Sequence, residues 1–173
     1  MNPLHIRARD NGDLPGCVAA LAEVHAADGY PTRWPAEPAG WLTPTDLLHA
    51  WTAHLDDTVV GHVVIRGVAD DSMASLLAAS GGVPPERLAS LSRLFVVPGA
   101  RRRGVASGLI GRATCEAATD GLRLVLDVVD DGRGAAVALY EEAGWRRVAS
   151  VQAAWTMPDG RRPMVSYYLS PQR

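Results

Sequence analysis

From Leu91 to Ala143 the sequence alternates apolar runs with helix-like stretches: a strand over Leu91 to Val97, a helix over Gly104 to Ala118, a strand over Leu122 to Val129 and a helix over Gly134 to Ala143. Strand, helix, strand, helix implies a sheet with helices laid against it, because each strand buries an apolar face and each helix an apolar stripe. In the first of these helices Val105, Ala106, Leu109, Ile110, Ala113 and Ala117 form that stripe. Arg112 and Glu116 face away, and Asp120-Gly121 ends the helix. Strands near Arg146 to Ala154 and Met164 to Leu169 follow.

The first half reads differently. An opening strand over residues 4–9 is punctuated by Pro15-Gly16, and Cys17, Leu21 and Val24 then recur on one helical face. His49 to Leu55 and Thr58 to Gly67 form a hairpin about Asp56-Asp57. Between helix and hairpin, Tyr30, Trp34 and Trp41 sit among Pro31, Pro35, Pro38 and Pro44, which reads as a loop with room for a short helix. Residues 69–85 read as a second loop with a helical turn around Met73 to Ala79. An antiparallel meander joined to an α/β half gives an α/β (α+β) class, and 173 residues fit one domain spanning 1–173.

Composition excludes several classes of function. Apolar residues make up 47% and charged ones 21%, an ordinary globular mixture. A formal net charge of -2 gives no general attraction to nucleic acid or to an anionic membrane surface. No apolar window is long enough to span a bilayer, and Arg7, Arg9 and Asp10 interrupt the place where a secretory signal would be apolar, so a cytoplasmic protein is expected. Cys17 and Cys115 have no neighbours at ligand spacing and read as buried small apolar residues. No metal site is expected.

The segment that carries chemistry runs from Leu94 to Ser107: an apolar strand ending at Pro98, then Arg101, Arg102 and Arg103, then Gly104, Val105 and Ala106 opening a helix. A helix start leaves about four backbone N–H groups unpaired and carries roughly half a positive charge, so it takes an anion where no large side chain blocks the backbone. Three consecutive arginines alone describe a solvated turn. Between an apolar strand and a glycine-led helix they can add charge-assisted hydrogen bonds to phosphate oxygens. A nucleotide P-loop and a dinucleotide fingerprint are both absent, since no Gly-Lys-Ser/Thr and no Gly-x-Gly-x-x-Gly follows the strand.

Arg101-Arg102-Arg103-Gly104-Val105-Ala106 resembles the (Gln/Arg)-x-x-Gly-x-(Gly/Ala) signature of the GNAT superfamily of N-acetyltransferases. Leu94 to Pro98 is similar to that family's fourth strand, and Leu139-Tyr140-Glu141-Glu142 with Gly144-Trp145 to its later helix. The resemblance implies acetyl-CoA as cosubstrate and a mixed, mostly antiparallel sheet of six or seven strands, flanked by helices and splayed between the fourth and fifth. By the same resemblance the backbone of Leu94, Phe95 and Val96 bonds the thioester carbonyl and pantetheine arm. Residues 102–107 hold the pyrophosphate with Arg101 flanking, and Tyr140 sits near the thioester sulfur as the acid.

Arg133 stands where many members carry Asn, and it puts that contact to the cofactor arm in question. His25, Asp28, Glu37 and Asp127 are the candidate bases. Asp127 lies on the strand face opposite the leucines, where Arg123 offers it a partner. Tyr30, Trp34 and Asp127 are candidate substrate contacts, the two aromatic residues being equally suited to covering a core edge. The acceptor is expected to be an amine of a small molecule or of a peptide or protein, with the protein a monomer or a homodimer. A non-catalytic acyl-CoA-binding module is the competing class.

Overall fold

The structure, a computed structural model, describes residues 2–68, 73–130 and 135–172. Its elements run β1 (His5–Ala8), α1 (Leu14–Asp28), α2 (Pro38–Trp41), β2 (Leu47–Leu55), β3 (Thr58–Arg66), α3 (Ala74–Gly81), β4 (Leu88–Val96), α4 (Val105–Thr119), β5 (Arg123–Val129), α5 (Ala135–Glu142), β6 (Arg146–Gln152) and β7 (Met164–Leu169). The seven strands are ordered β1-β2-β3-β4-β5-β7-β6. The pairs β1/β2, β2/β3, β5/β7 and β6/β7 are antiparallel, and β4/β5 is parallel. This is the mixed, mostly antiparallel sheet of seven strands that the family resemblance implies. The chain divides into two compact units, Met1–Gly67 with Leu91–Glu116 and Val68–Ser90 with Ala117–Arg173.

In the first unit α1 buries Cys17, Ala20, Leu21 and Val24, the face set out by its spacing, and it stops at Gly29, whose φ of 69° only glycine adopts freely. Burial pushes the Cys17 thiol up to about 11, so it behaves as a small apolar group. β2 and β3 meet in the expected hairpin, with Asp56 and Asp57 both left-handed as a two-residue turn of this hand requires. Ala53 pairs with Gly61 while His54 pairs with Val59, so Val60 is an extra residue in β3. That bulge reverses the alternation of side chains. Val59 therefore packs against Gly16 of α1, whereas a side chain at Gly61 would run into Val105 and Leu109 of α4.

In the second unit β4 begins three residues earlier than its apolar run suggests, because Leu88, Ala89 and Ser90 pair with Arg123, Leu124 and Val125 of β5. The helical turn expected around Met73 to Ala79 is a full helix, α3, closed by Gly82 at φ 65°. It forms because Leu77 and Ala78 bury against Val68, Leu88, Val125 and Leu169. Arg123 sends its guanidinium to the carbonyls of Ser170 (2.9 Å) and Gly81 (2.6 Å), not to Asp127. Four residues along a strand are about 13 Å, beyond the reach of that expected pairing. Cys115, expected inside, lies on the exposed side of α4.

Gly61 tests how tightly β3 and α4 are packed. A Cβ there would lie 2.9 Å from Val105 Cγ1, 3.0 Å from Leu109 Cδ1 and 3.3 Å from the Phe95 carbonyl, and both side chains are buried. Gly61→Ala is expected to cost about 1–3 kcal/mol by overpacking, read as a lower urea midpoint at unchanged slope. A midpoint at or above that of the parent would show that α4 yields freely at this contact.

Candidate active site

β4 carries a left-handed residue within its length: Arg93 has φ 53°. A non-glycine residue held there costs about 1–3 kcal/mol and persists only when its surroundings over-determine it. Those surroundings are explicit. His62 on β3, with no solvent exposure, donates from Nδ1 to the Arg93 carbonyl at 3.0 Å. Its Nε2 accepts from Arg9 Nη1 at 2.9 Å, and Arg9 also donates to the Leu42 carbonyl (2.6 Å) and to Thr43 Oγ1 (2.8 Å). The ring of His62 stacks on Phe95 with centroids 5.2 Å apart. The Arg93 side chain donates from Nε to the Trp41 carbonyl at 3.2 Å and lies 4.1 Å over the Trp41 ring. Burial drives the His62 pKa down to about 4, so at neutral pH the ring carries one proton, on Nδ1, and one acceptor, on Nε2.

Beyond the turn, Leu94, Phe95 and Val96 complete β4, and the Val97 N–H returns to the Val60 carbonyl at 2.9 Å. Arg101 donates to the Val96 carbonyl (3.2 Å) and forms an ion pair with Asp28 at the end of α1. Arg101 therefore braces the chain between β4 and α1. Arg102 (φ 60°) and Gly104 (φ 76°) are both left-handed. Left-handed residues in such a turn bring successive N–H groups into a concave, anion-receptive surface. The first α4 hydrogen bond runs from Gly108 N to Gly104 O, so the N–H groups of Val105, Ala106 and Ser107 lie ahead of the helical ladder. A Cβ on Gly104 would meet nothing within 4 Å, so the approach to these donors is open. Val105 offers only its backbone, its side chain being buried, while Arg102, Arg103 and Ser107 are exposed.

The aromatic loop belongs to the same unit. Tyr30 and Trp34 are 36% and 40% exposed, Tyr30 meets the edge of Trp41 at 6.1 Å, and Trp34 leans on His25 at 5.3 Å. His25 is oriented by a 2.8 Å hydrogen bond from Nδ1 to the Pro31 carbonyl, which leaves Nε2 as its acceptor. Of the other candidate bases, Asp28 is committed to Arg101 and Glu37 is exposed at the start of α2. In the second unit Tyr140 on α5 is 8% exposed, with Trp145 at 5.8 Å and Tyr168 at 6.4 Å between ring centroids, and Asp127 on β5 is exposed. The Tyr168 hydroxyl reaches Glu141 at 3.4 Å, and burial followed by that carboxylate raises its pKa. Arg133 lies outside the described residues.

Sequence reasoning missed Arg9, His62 and Arg93. The only signals were a histidine inside the apolar run Val59 to Ile65 and an arginine breaking the alternation of Leu91 and Phe95.

The family model described as "Acetyltransferase (GNAT) family" matches residues 18–145. Among curated protein sequences, none matches the chain. Solved structures similar to it include the ribosomal-protein-S18-alanine N-acetyltransferase from Escherichia coli, at 19% identity and TM-score 0.71 over 98% of this chain and 94% of that one. NAA60 from Arabidopsis thaliana in complex with acetyl-CoA aligns at 18% identity and TM-score 0.73 over 96% and 97%. A ribosomal-protein-alanine N-acetyltransferase from Brucella melitensis aligns at 17% identity and TM-score 0.74 over 97% and 99%. At these identities the likeness is one of fold.

The depressed pKa of His62 fixes a direction for acid sensitivity. Its folded value of about 4 lies below an unfolded value of about 6.5, so the unfolded chain binds the extra proton between them and stability falls as pH drops through that window. Denaturant unfolding at pH 7.5 and pH 5 is expected to show a loss of about 2 kcal/mol from this ring, at a limiting slope of about 1.4 kcal/mol per pH unit. His62→Asn should remove most of that difference. The same acid loss in the variant would show that another group is responsible.

Proposed function

The chain belongs to the GNAT acetyltransferase family, and from that membership we propose that it moves an acetyl group directly from acetyl-CoA to an amine of a small molecule or of a peptide or protein. The reading takes residues 1–173 as one acetyltransferase domain working in the cytoplasm. Among the described residues no helix is long and apolar enough to cross a membrane. The observation that carries the cofactor assignment is the open, left-handed turn at Arg102 and Gly104 ahead of α4. Its N–H groups and the exposed Arg102 and Arg103 fit a pyrophosphate in charge and in space. Leu94, Phe95 and Val96 are assigned to the acyl and pantetheine end.

In the transfer the amine nitrogen forms a bond to the acyl carbon, the carbon–sulfur bond breaks, one amine proton leaves to a base, and the sulfur departs as a thiolate. A backbone N–H aimed at the carbonyl oxygen stabilises the charge that builds there, a role worth about 3–4 kcal/mol when such a donor is removed. We assign the proton to His25, whose Nε2 is held as an acceptor by the bond its Nδ1 makes to Pro31. An α-amine with a pKa near 8 is neutral about a tenth of the time at pH 7, and a lysine-like amine about once in 2,500. Amines of the first kind suit a single histidine base better. Tyr140 is assigned to the leaving sulfur. With reference values of about 10 for tyrosine and 8.5 for a thiol, full proton transfer runs uphill by roughly 2 kcal/mol, so its contribution is a hydrogen bond that strengthens as the thiolate forms.

A thermal-shift titration tests the cofactor. Acetyl-CoA at about 100 times its dissociation constant adds roughly 2.7 kcal/mol of stability, whereas adenosine and inorganic phosphate should leave the transition in place. Gly104→Ala strains a residue at φ 76° by about 1–2 kcal/mol; the free turn relaxes out of that conformation and acetyl-CoA must restore it, so its affinity should fall by about tenfold. No shift with millimolar acetyl-CoA would end the assignment. Under amine turnover, Tyr140→Phe is expected to lower kcat by about ten- to a hundredfold with KM for acetyl-CoA nearly unchanged. Full turnover in that variant would remove Tyr140 from the chemistry.

A further inference from the structure

We propose that His62 is a positioning residue for acyl transfer, holding Arg93 in the left-handed turn of β4 so that the Leu94 N–H points at the transferred acyl group. The inference rests on the acetyltransferase reading and names the part of the chain that aims its donor. A trans peptide is planar, so the carbonyl of Arg93 and the N–H of Leu94 belong to one rigid unit and point in opposite directions. Fixing the carbonyl on His62 Nδ1, at 3.0 Å, therefore fixes the N–H on the other side of β4. Two residues on, the stacked Phe95 pins the chain to the same ring. One imidazole thus holds the strand on both sides of Leu94.

Only one state of that ring serves. Nδ1 must carry a proton to donate to Arg93, and Nε2 must be bare to accept from Arg9. Arg9 enforces this choice, because a guanidinium only donates and is itself held by the Leu42 carbonyl and Thr43 Oγ1. A second proton on His62 would set two cations against each other in the interior and remove the acceptor. The Arg93 side chain closes the other side, tied to the Trp41 carbonyl and ring. The turn is therefore clamped from the residue that follows β1, from β3 and from the aromatic loop, and none of these groups needs to touch the substrates to act.

Three readouts on the full chain separate positioning from packing. In the parent, the 15N shifts of His62 should report a protonated Nδ1 and a bare Nε2, unchanged from pH 5.5 to 8; the opposite tautomer would overturn the proposal without any variant. His62→Phe keeps a ring on Phe95 and removes both hydrogen bonds. It should lower kcat by about a hundredfold, the scale for loss of an aimed oxyanion donor, with CoA affinity within threefold. Amide exchange at Leu94 should change more than tenfold while Val125 stays as it was. His62→Asn, whose amide can donate from near the Nδ1 position, should recover at least a tenth of the lost turnover. Unchanged kcat in folded His62→Phe, or a loss that only tracks the unfolded fraction, would refute the role. A parent that neither binds CoA nor acetylates any amine would sink the acetyltransferase reading, while exchange at Leu94 would still decide whether His62 holds the turn.

Discussion

Arg9 brings a half-buried guanidinium charge beside the buried His62, and the two share a hydrogen bond only while the imidazole is neutral. Desolvation keeps it so, with a pKa near 4. A neutral imidazole has one donor and one acceptor, and with the acceptor given to Arg9 the donor is left for a carbonyl. The carbonyl it finds is that of Arg93, at a residue whose backbone no ordinary strand would tolerate. The path of β4 is thus set by an electrostatic constraint, since the groups that hold it are linked donor to acceptor from Arg9 through His62 to the Arg93 carbonyl.

The same device recurs. All seventeen basic residues of the sequence are arginine, and several are used to satisfy backbone carbonyls that the sheet leaves over. Arg9 takes Leu42, Arg93 takes Trp41 and Arg101 takes Val96 in the first unit, while Arg123 takes Ser170 and Gly81 and Arg162 takes Ala153 in the second. A planar fork with five donors can join two elements at once, where a lysine ammonium would act as a point charge. Loops around β4 and at the end of β7 are fixed in this way without added apolar surface.

What the sequence revealed follows from how local each feature is. The turn from β4 into α4 was legible because strand, arginines and Gly104 are contiguous, and a helix start binds anions for reasons contained in the helix. The hairpin at Asp56-Asp57 and the buried face of α1 were legible for the same reason. The left-handed turn at Arg93 was not, because nothing within its own strand demands it; it exists through residues 31 and 84 positions earlier in the chain. The early start of β4 at Leu88 was likewise hidden, since Leu88, Ala89 and Ser90 are strand only by virtue of β5. The expected pairing of Asp127 with Arg123 failed on strand geometry, and the expected burial of Cys115 on the polar side of α4.

The arginine triplet shows why residue type alone is a poor guide to a site. On sequence the three are equivalent cations before a helix, but the fold gives them separate work. Arg101 is tied to the Val96 carbonyl and to Asp28, and its charge goes to bracing the end of β4. Arg102 contributes through its backbone, whose φ of 60° turns the chain just ahead of the N–H groups that α4 leaves outside its hydrogen-bond ladder. Arg103 is exposed beside Gly104, free of the distortion that Arg102 carries. On the proposed reading, a phosphate at this turn is attracted by the exposed side-chain charges of Arg102 and Arg103 and seated by the backbone donors ahead of α4. Salt screens exposed charges more than it weakens short backbone hydrogen bonds, so the proposed cradle would keep much of its affinity at ionic strengths that would disperse a purely basic patch.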